Sequence, residues 1–359
     1  MNIKLQKKQI LPLMFFLVLI GIVGVFFFQE NRKDKDKIDN RENSQDFSSD
    51  LLVWEEATSS APWSIRDSHG SVVFKDRMWL FGGIEGGGEF SGNYGDLEHK
   101  SDIWVSENGT DWQLVREDAP WRKRRSLAMV VFKNKIWLLG GLVQERYQET
   151  KNDVWYSEDG EHWFEAAVAP WSAREGHTVV VFQDKIWVMG GVDFFTKEYK
   201  NDVWYSEDGI NWIETTPSAP WSPRYDHAVA VLKNKMWLLG GLIRGGATES
   251  DIWVSENGTD WQLVNEEAVW PTRHGHTAVT FKDRIWIISG WNSNQDKALR
   301  DVWCSEDGEN WVEATSFAPW LGREDHTSLV FQDKIWILGG MDTNWVWRND
   351  VWCATTNNN

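Results

Sequence analysis

Six arginines stand in near-even register along the chain, at Arg66, Arg124, Arg174, Arg224, Arg273 and Arg323, separated by 58, 50, 50, 49 and 50 residues. Five of them open an Arg-x-x-His segment, with His69, His177, His227, His276 and His326; Leu127 takes the histidine's place in the second unit. Gathered on one face, six guanidinium groups suit a carboxylate or an acidic sugar, because the planar fork pairs bidentately with such oxygens. Repetition supplies the competing explanation. An arginine demanded by every unit can equally lie on the tryptophan three residues before it, or bond neighbouring backbone. The repeated histidines read as buried hydrogen-bonding groups. Departures from the pattern say more: Trp121-Arg122-Lys123-Arg124-Arg125 is unusually basic, and Tyr225 and His274 are particular to their units.

The arginines need a scaffold with their own period. A repeat near 50 residues points to one four-stranded blade per unit. In the third unit, residues 177–182 are rich in β-branched side chains and form a first strand. A turn at 183–185 leads to Ile186-Trp187-Val188-Met189 and the diglycine Gly190-Gly191. After a variable loop come Asn201-Asp202-Val203-Trp204-Tyr205-Ser206, then Glu207-Asp208-Gly209 and a fourth strand around Trp212. Asp-Gly between two such runs predicts a tight hairpin with both central residues at positive φ. The diglycine predicts positive φ and close backbone approach.

With Ala-Pro-Trp-x-x-Arg, Arg-x-x-His, the diglycine and the downstream Trp repeated through residues 51–359, the chain resembles the kelch-repeat β-propellers, among them the galactose oxidase central domain and bacterial kelch proteins. The fifth unit departs, with Ala268-Val269-Trp270 and Ser289-Gly290. The last unit stops after a third strand at Asp350-Val351-Trp352-Cys353, and a spare fourth strand, Leu51-Leu52-Val53-Trp54, sits at the front. It is expected to complete the last blade, giving six blades and hiding two sheet edges. Some kelch-like propellers hold acidic ligands with arginines near this face, and some act on sialic acid. A copper site of the galactose oxidase kind is disfavoured, because neither Cys304 nor Cys353 falls in a loop of the functional face. Neither a metal nor a cofactor is expected. The two cysteines read as buried fillers.

Repetition also separates lattice from ligand chemistry. Of 27 Trp, 24 recur at four positions per unit and read as core; Trp291, Trp345 and Trp347 lie in loops between second and third strands. Those loops share a face with the arginines and also carry Tyr147, Phe194, Phe195 and Tyr199, whereas the opposite face is built of near-identical turns. Loops that vary over a repeating scaffold are where binding resides. The expected partner is a glycan or an envelope or extracellular protein. The rival expectation is a sugar-active enzyme such as a sialic-acid mutarotase or epimerase, for which Glu85, Glu89, Asp96, Glu145 and Asp193 are the loop carboxylates at hand.

Residues 51–359 carry 29 Lys/Arg against 47 Asp/Glu, a net of −18 that argues against nucleic acid as a partner. The N-terminus is a separate object. Lys4, Lys7 and Lys8 form a basic tail at 1–9, and residues 10–28 are uncharged over a length that suits a membrane-spanning helix. Residues 29–50 read as a disordered polar stalk. The lysines predict a cytoplasmic N-terminus and an extracytoplasmic propeller. Secretion after signal cleavage is the alternative.

Overall fold

Each unit's first hairpin turns on two residues in the left-handed region, such as Gln183 (φ 49°) and Asp184 (φ 56°), and the same pair recurs from Lys75-Asp76 to Gln332-Asp333. These are the two-residue hairpins whose twist matches the strands. In the computed structural model, which describes residues 51–86, 97–144 and 148–357, they generate an all-β protein of six blades. The expected tail, membrane segment and stalk lie outside the described residues, as do Tyr147, Glu89, Asp96 and Glu145. No helix among the described residues is long and apolar enough to cross a membrane.

The second blade shows the plan. Ala128–Phe132, Lys135–Gln144, Gln148–Ser157 and Trp163–Val168 follow one another as antiparallel neighbours. The innermost strands of the six blades touch in a closed circuit, from Gly70–Phe74 round to Thr327–Phe331 and back. Leu52–Thr58 pairs antiparallel with Trp347–Thr356, setting Trp54 opposite Ala354 and Glu56 opposite Trp352. The front strand therefore finishes the sixth blade, as its sequence predicts.

The core lies between blades. Trp171, Trp212, Trp137, Ile186 and Val188 form one such interface, with the Trp171 and Trp212 rings 6.0 Å apart and edge to face. Cys304 and Cys353 are buried and free.

One expected turn differs. In the Ser-Glu-Asp-Gly segments only the glycine takes positive φ, as at Gly160 (89°). The turn is held by side chains instead: Gly160 N donates to Ser157 Oγ at 2.8 Å, and Glu161 and His162 N donate to Asp159 Oδ1 at 2.9 and 2.8 Å. A serine and an aspartate that satisfy the loop's own amides leave only the glycine, and not the aspartate before it, in the left-handed region.

Candidate functional site

The six arginines are interior. Each is at most 1 % exposed and donates through both terminal nitrogens to one aspartate at 2.5–2.9 Å: Asp102, Asp153, Asp202, Asp251, Asp301 and Asp350 in chain order. Nη1 also donates to the carbonyl at the first diglycine position, 2.7–3.0 Å away, which in the fifth unit is Ser289. The tryptophan two residues beyond each aspartate donates its indole N–H to the same carboxylate. Burial alone would raise the carboxyls of Asp102, Asp153, Asp202 and Asp350, but the guanidinium bonds outweigh it and hold them low. Arg174 also lies over the Trp171 ring, 5.6 Å from its centroid. The donors are committed inside the blades, so the arginines tie each unit's entry to its third strand.

The two residues after each arginine reach the axis. The second of them is left-handed in all six units, Ser68, Ser126, Gly176, Asp226, Gly275 and Asp325, with φ between 48° and 60°. In that conformation Asp226 N donates to Gly176 O, Gly275 N to Asp226 O, Asp325 N to Gly275 O, Ser68 N to Asp325 O and Ser126 N to Ser68 O, at 2.8–3.0 Å. This belt joins neighbouring blades around the channel. Below it the five repeated histidines and Leu127 line a cavity of about 200 Å³. Burial, then the adjacent arginine, pushes His69, His177 and His227 down to about 3, so they stand neutral. The His69 ring Nε2 meets the Thr327 hydroxyl at 2.9 Å.

Above the belt opens a cavity of about 290 Å³, sharing Ser68, Ser126, Asp226 and Asp325 with the channel below. It takes its walls from the first position after each arginine and from the loops between second and third strands. In the third and fifth blades those loops are separate small hairpins, Val192–Asp193 with Glu198–Tyr199 and Trp291–Asn292 with Lys297–Ala298. The Tyr199 and Tyr225 rings meet edge to face at 5.4 Å, and Trp291 meets Trp345 at 5.0 Å. Both aromatic pairs line the cavity.

The cavity is acidic. Asp67, Glu175, Asp226, Glu324 and Asp325 all face it and none is more than intermediately exposed. Burial, reinforced by neighbouring carboxyls, raises Asp67, Asp226 and Glu324 well above their ordinary range. Asp325 rises to about 6, chiefly by burial, with Arg125 pulling the other way. Glu175 is raised by burial against the pull of Arg125, whose Nε lies 3.4 Å from Glu175 Oε2. Burial lowers His274 to about 4.

Of the residues singled out from sequence, Arg125, Phe194, Tyr199, Tyr225, His274, Trp291 and Trp345 are brought together here. Trp347 is 1 % exposed and packs with Ile84, Leu97 and Met341. Phe195 points outward, beside Phe194. Glu85 pairs with Lys100, and Asp193 Oδ1 accepts the amide of Phe195. The five carboxyls went unremarked in the sequence, although the unit-by-unit comparison that exposes Tyr225 and His274 applies to them equally. The aspartate partners of the arginines recur in all six units and were legible on the same ground. Among the described residues no group of three His, Cys, Asp or Glu is placed to hold a metal ion.

No curated protein matches the sequence. A solved structure titled "Structure of YjhT" superposes with a TM-score of 0.68 at 16 % identity, covering 84 % of this chain and 98 % of that one, which is a likeness of fold. The model of the KLHDC2/KLHL20/DRC7 Kelch-repeats domain matches residues 126–314, more than half of the chain. That match shows the family: the chain belongs to the kelch-repeat proteins.

Proposed function

We propose that the chain is a binding module that takes a glycan in the cavity at the mouth of its channel. What carries this reading is the cavity's composition, two aromatic pairs over convergent polar groups. Sugars offer apolar ring faces for such stacking and hydroxyls for carboxyl acceptors. A glycan is favoured over a protein partner because the aromatic groups line a concavity instead of standing on a flat surface. The module is held outside a membrane by residues 10–28, or released after their cleavage; alkaline extraction of membranes separates these two states. Full-length protein in detergent micelles on a glycan array tests the binding. Trp345→Ala or Tyr199→Ala should abolish retention while leaving thermal unfolding near the parent's. Retention unchanged in both variants would place the ligand elsewhere.

A second reading, catalysis on a reducing sugar, is favoured by Asp325. A carboxyl raised to about 6 beside the cavity exchanges protons near neutral pH, as general acid–base chemistry requires. Accelerated mutarotation lost in Asp325→Asn would support it. An acidic sugar fits this cavity poorly under either reading, since the arginines thought to receive it are paired within the blades.

A further inference from the structure

Building on the binding reading, we propose that the ligand is cationic, an amino sugar with a free ammonium group seated between Asp67, Asp226 and Asp325. The cavity wall carries five carboxyls against two side-chain cations, Arg125 and Lys197. Both cations are engaged: Arg125 with Glu175 and, at 5.7 Å, with the Phe194 ring, and Lys197 Nζ 3.9 Å from the centre of the same ring. Burial raises Asp67, Asp226 and Asp325 and outweighs the charge of Arg125, which lowers all three.

An independent observation points to a missing donor. Asp67 is 2 % exposed, and its Oδ1 has no hydrogen-bond partner among the described residues while the residue lines the cavity. A buried carboxyl oxygen without a partner is costly, and a donor carrying positive charge would both meet it and favour the ionised form that burial disfavours. His274 Nδ1, also on the cavity's lining, is likewise without a hydrogen bond, 3.8 Å from Glu324 Oε2.

The fold makes room for the acids. A Cβ on Gly176 would fall 2.5 Å from Asp226 Oδ1, and one on Gly275 would fall 2.8 Å from Asp325 Oδ1. Each carboxyl therefore occupies space vacated by a glycine in the preceding blade. A divalent metal is the other cation to weigh: among the described residues no three side chains stand close enough to ligate one ion, whereas an ammonium needs direct bonds to only one or two of the carboxyls and is drawn by the charge of the rest. An ammonium on a sugar ring uses both halves of the site, with the aromatic pairs under the ring and the carboxyls around the charge.

Calorimetric titration of full-length protein in micelles tests this with three oligosaccharides of equal length: glucosamine, its N-acetylated form and galacturonate. The glucosamine oligomer should bind roughly tenfold or more tightly than its N-acetylated form, and Asp67→Asn or Asp325→Asn should each weaken it by a similar factor. Thermal unfolding of both variants controls for folding. Equal or tighter binding of the N-acetylated or acidic oligomer overturns the ammonium assignment and leaves the glycan reading standing. Failure of all three to bind overturns both.

Discussion

Replacing Arg224 by Met tests whether the six arginines hold the blades or a ligand. In the folded chain Arg224 is 0 % exposed and donates to Asp251 Oδ1 and Oδ2 at 2.5 and 2.7 Å, to Gly240 O at 2.7 Å and to Ser222 O at 3.0 Å. Methionine fills most of the volume but leaves Asp251 buried without its cation. Removing one partner of a buried pair costs about 3–5 kcal/mol. At roughly 2 °C per kcal/mol for a domain of this size, the midpoint of thermal unfolding falls by about 6–10 °C. The double variant Arg224→Met, Asp251→Leu removes both charges and should recover most of that loss. It leaves the Trp253 indole without the acceptor it now has at 2.7 Å, a residue of about 1 kcal/mol. Calorimetry on the parent and three variants completes the cycle. An Arg224→Met protein that melts within about 2 °C of the parent, yet loses its ligand, would refute the latch and return the arginines to the site.

The carboxyls above the belt give a pH dependence of known sign. Asp325 rises to about 6 in the folded chain from an ordinary value of about 3.9, so the folded state holds the extra proton across that window and its stability falls as pH rises through it. Asp325→Asn should therefore be more stable than the parent at pH 7.5, by up to roughly 3 kcal/mol, and equal to it near pH 4, as read by urea unfolding; the reverse order would show the carboxylate to be stabilised by partners. At Gly258 (φ 79°) a Cβ would meet the Trp187 ring at 2.2 Å, whereas at Gly246 (φ 85°) nothing lies within 4 Å. Gly258→Ala should lose roughly 3 kcal/mol or more, and Gly246→Ala only about 1, the backbone term alone, in the same assay. Equal losses would mean that the turn does not press on the neighbouring blade.

Much of the fold was legible because it is written six times. A tryptophan at a fixed offset in every unit states a lattice position, and Trp54, nine residues before Trp63, matched the spacing from Trp112 to Trp121 and so gave away the closing strand. The Asp-Gly turn departs from the two-residue rule because a serine three residues before the glycine caps the loop, which that rule takes no account of. The aspartates recur two residues before the third-strand Trp in every unit, as regularly as the arginines, but nothing in a spacing of 27 to 36 residues pairs the two until the sheet brings them to 2.5–2.9 Å. Arg125, Tyr225 and His274 stood out as departures. Asp67, Glu175, Asp226, Glu324 and Asp325 vary between units at the same two positions after each arginine, but their burial at a common axis is set by the ring and by no one unit.

The ring's symmetry explains why the departures decide the chemistry. Six Arg–Asp pairs cancel in charge and present identical surroundings at every entry, so they contribute no preference among ligands. The belt beneath requires a left-handed residue in each unit, a conformation that glycine takes freely and aspartate and serine tolerate better than most. Choosing Asp at 226 and 325, with glycine at 176 and 275 to admit them, meets the backbone demand and places charge on the axis at the same positions. A body of net charge −18 adds its own long-range field, which draws cations toward every face. What the mouth adds is a set of buried acids whose self-repulsion Arg125 offsets in part, and which protons or a further cation would relieve. On the proposed reading the cavity would select by charge first and by ring stacking second, and the six arginines would take no part in the choice.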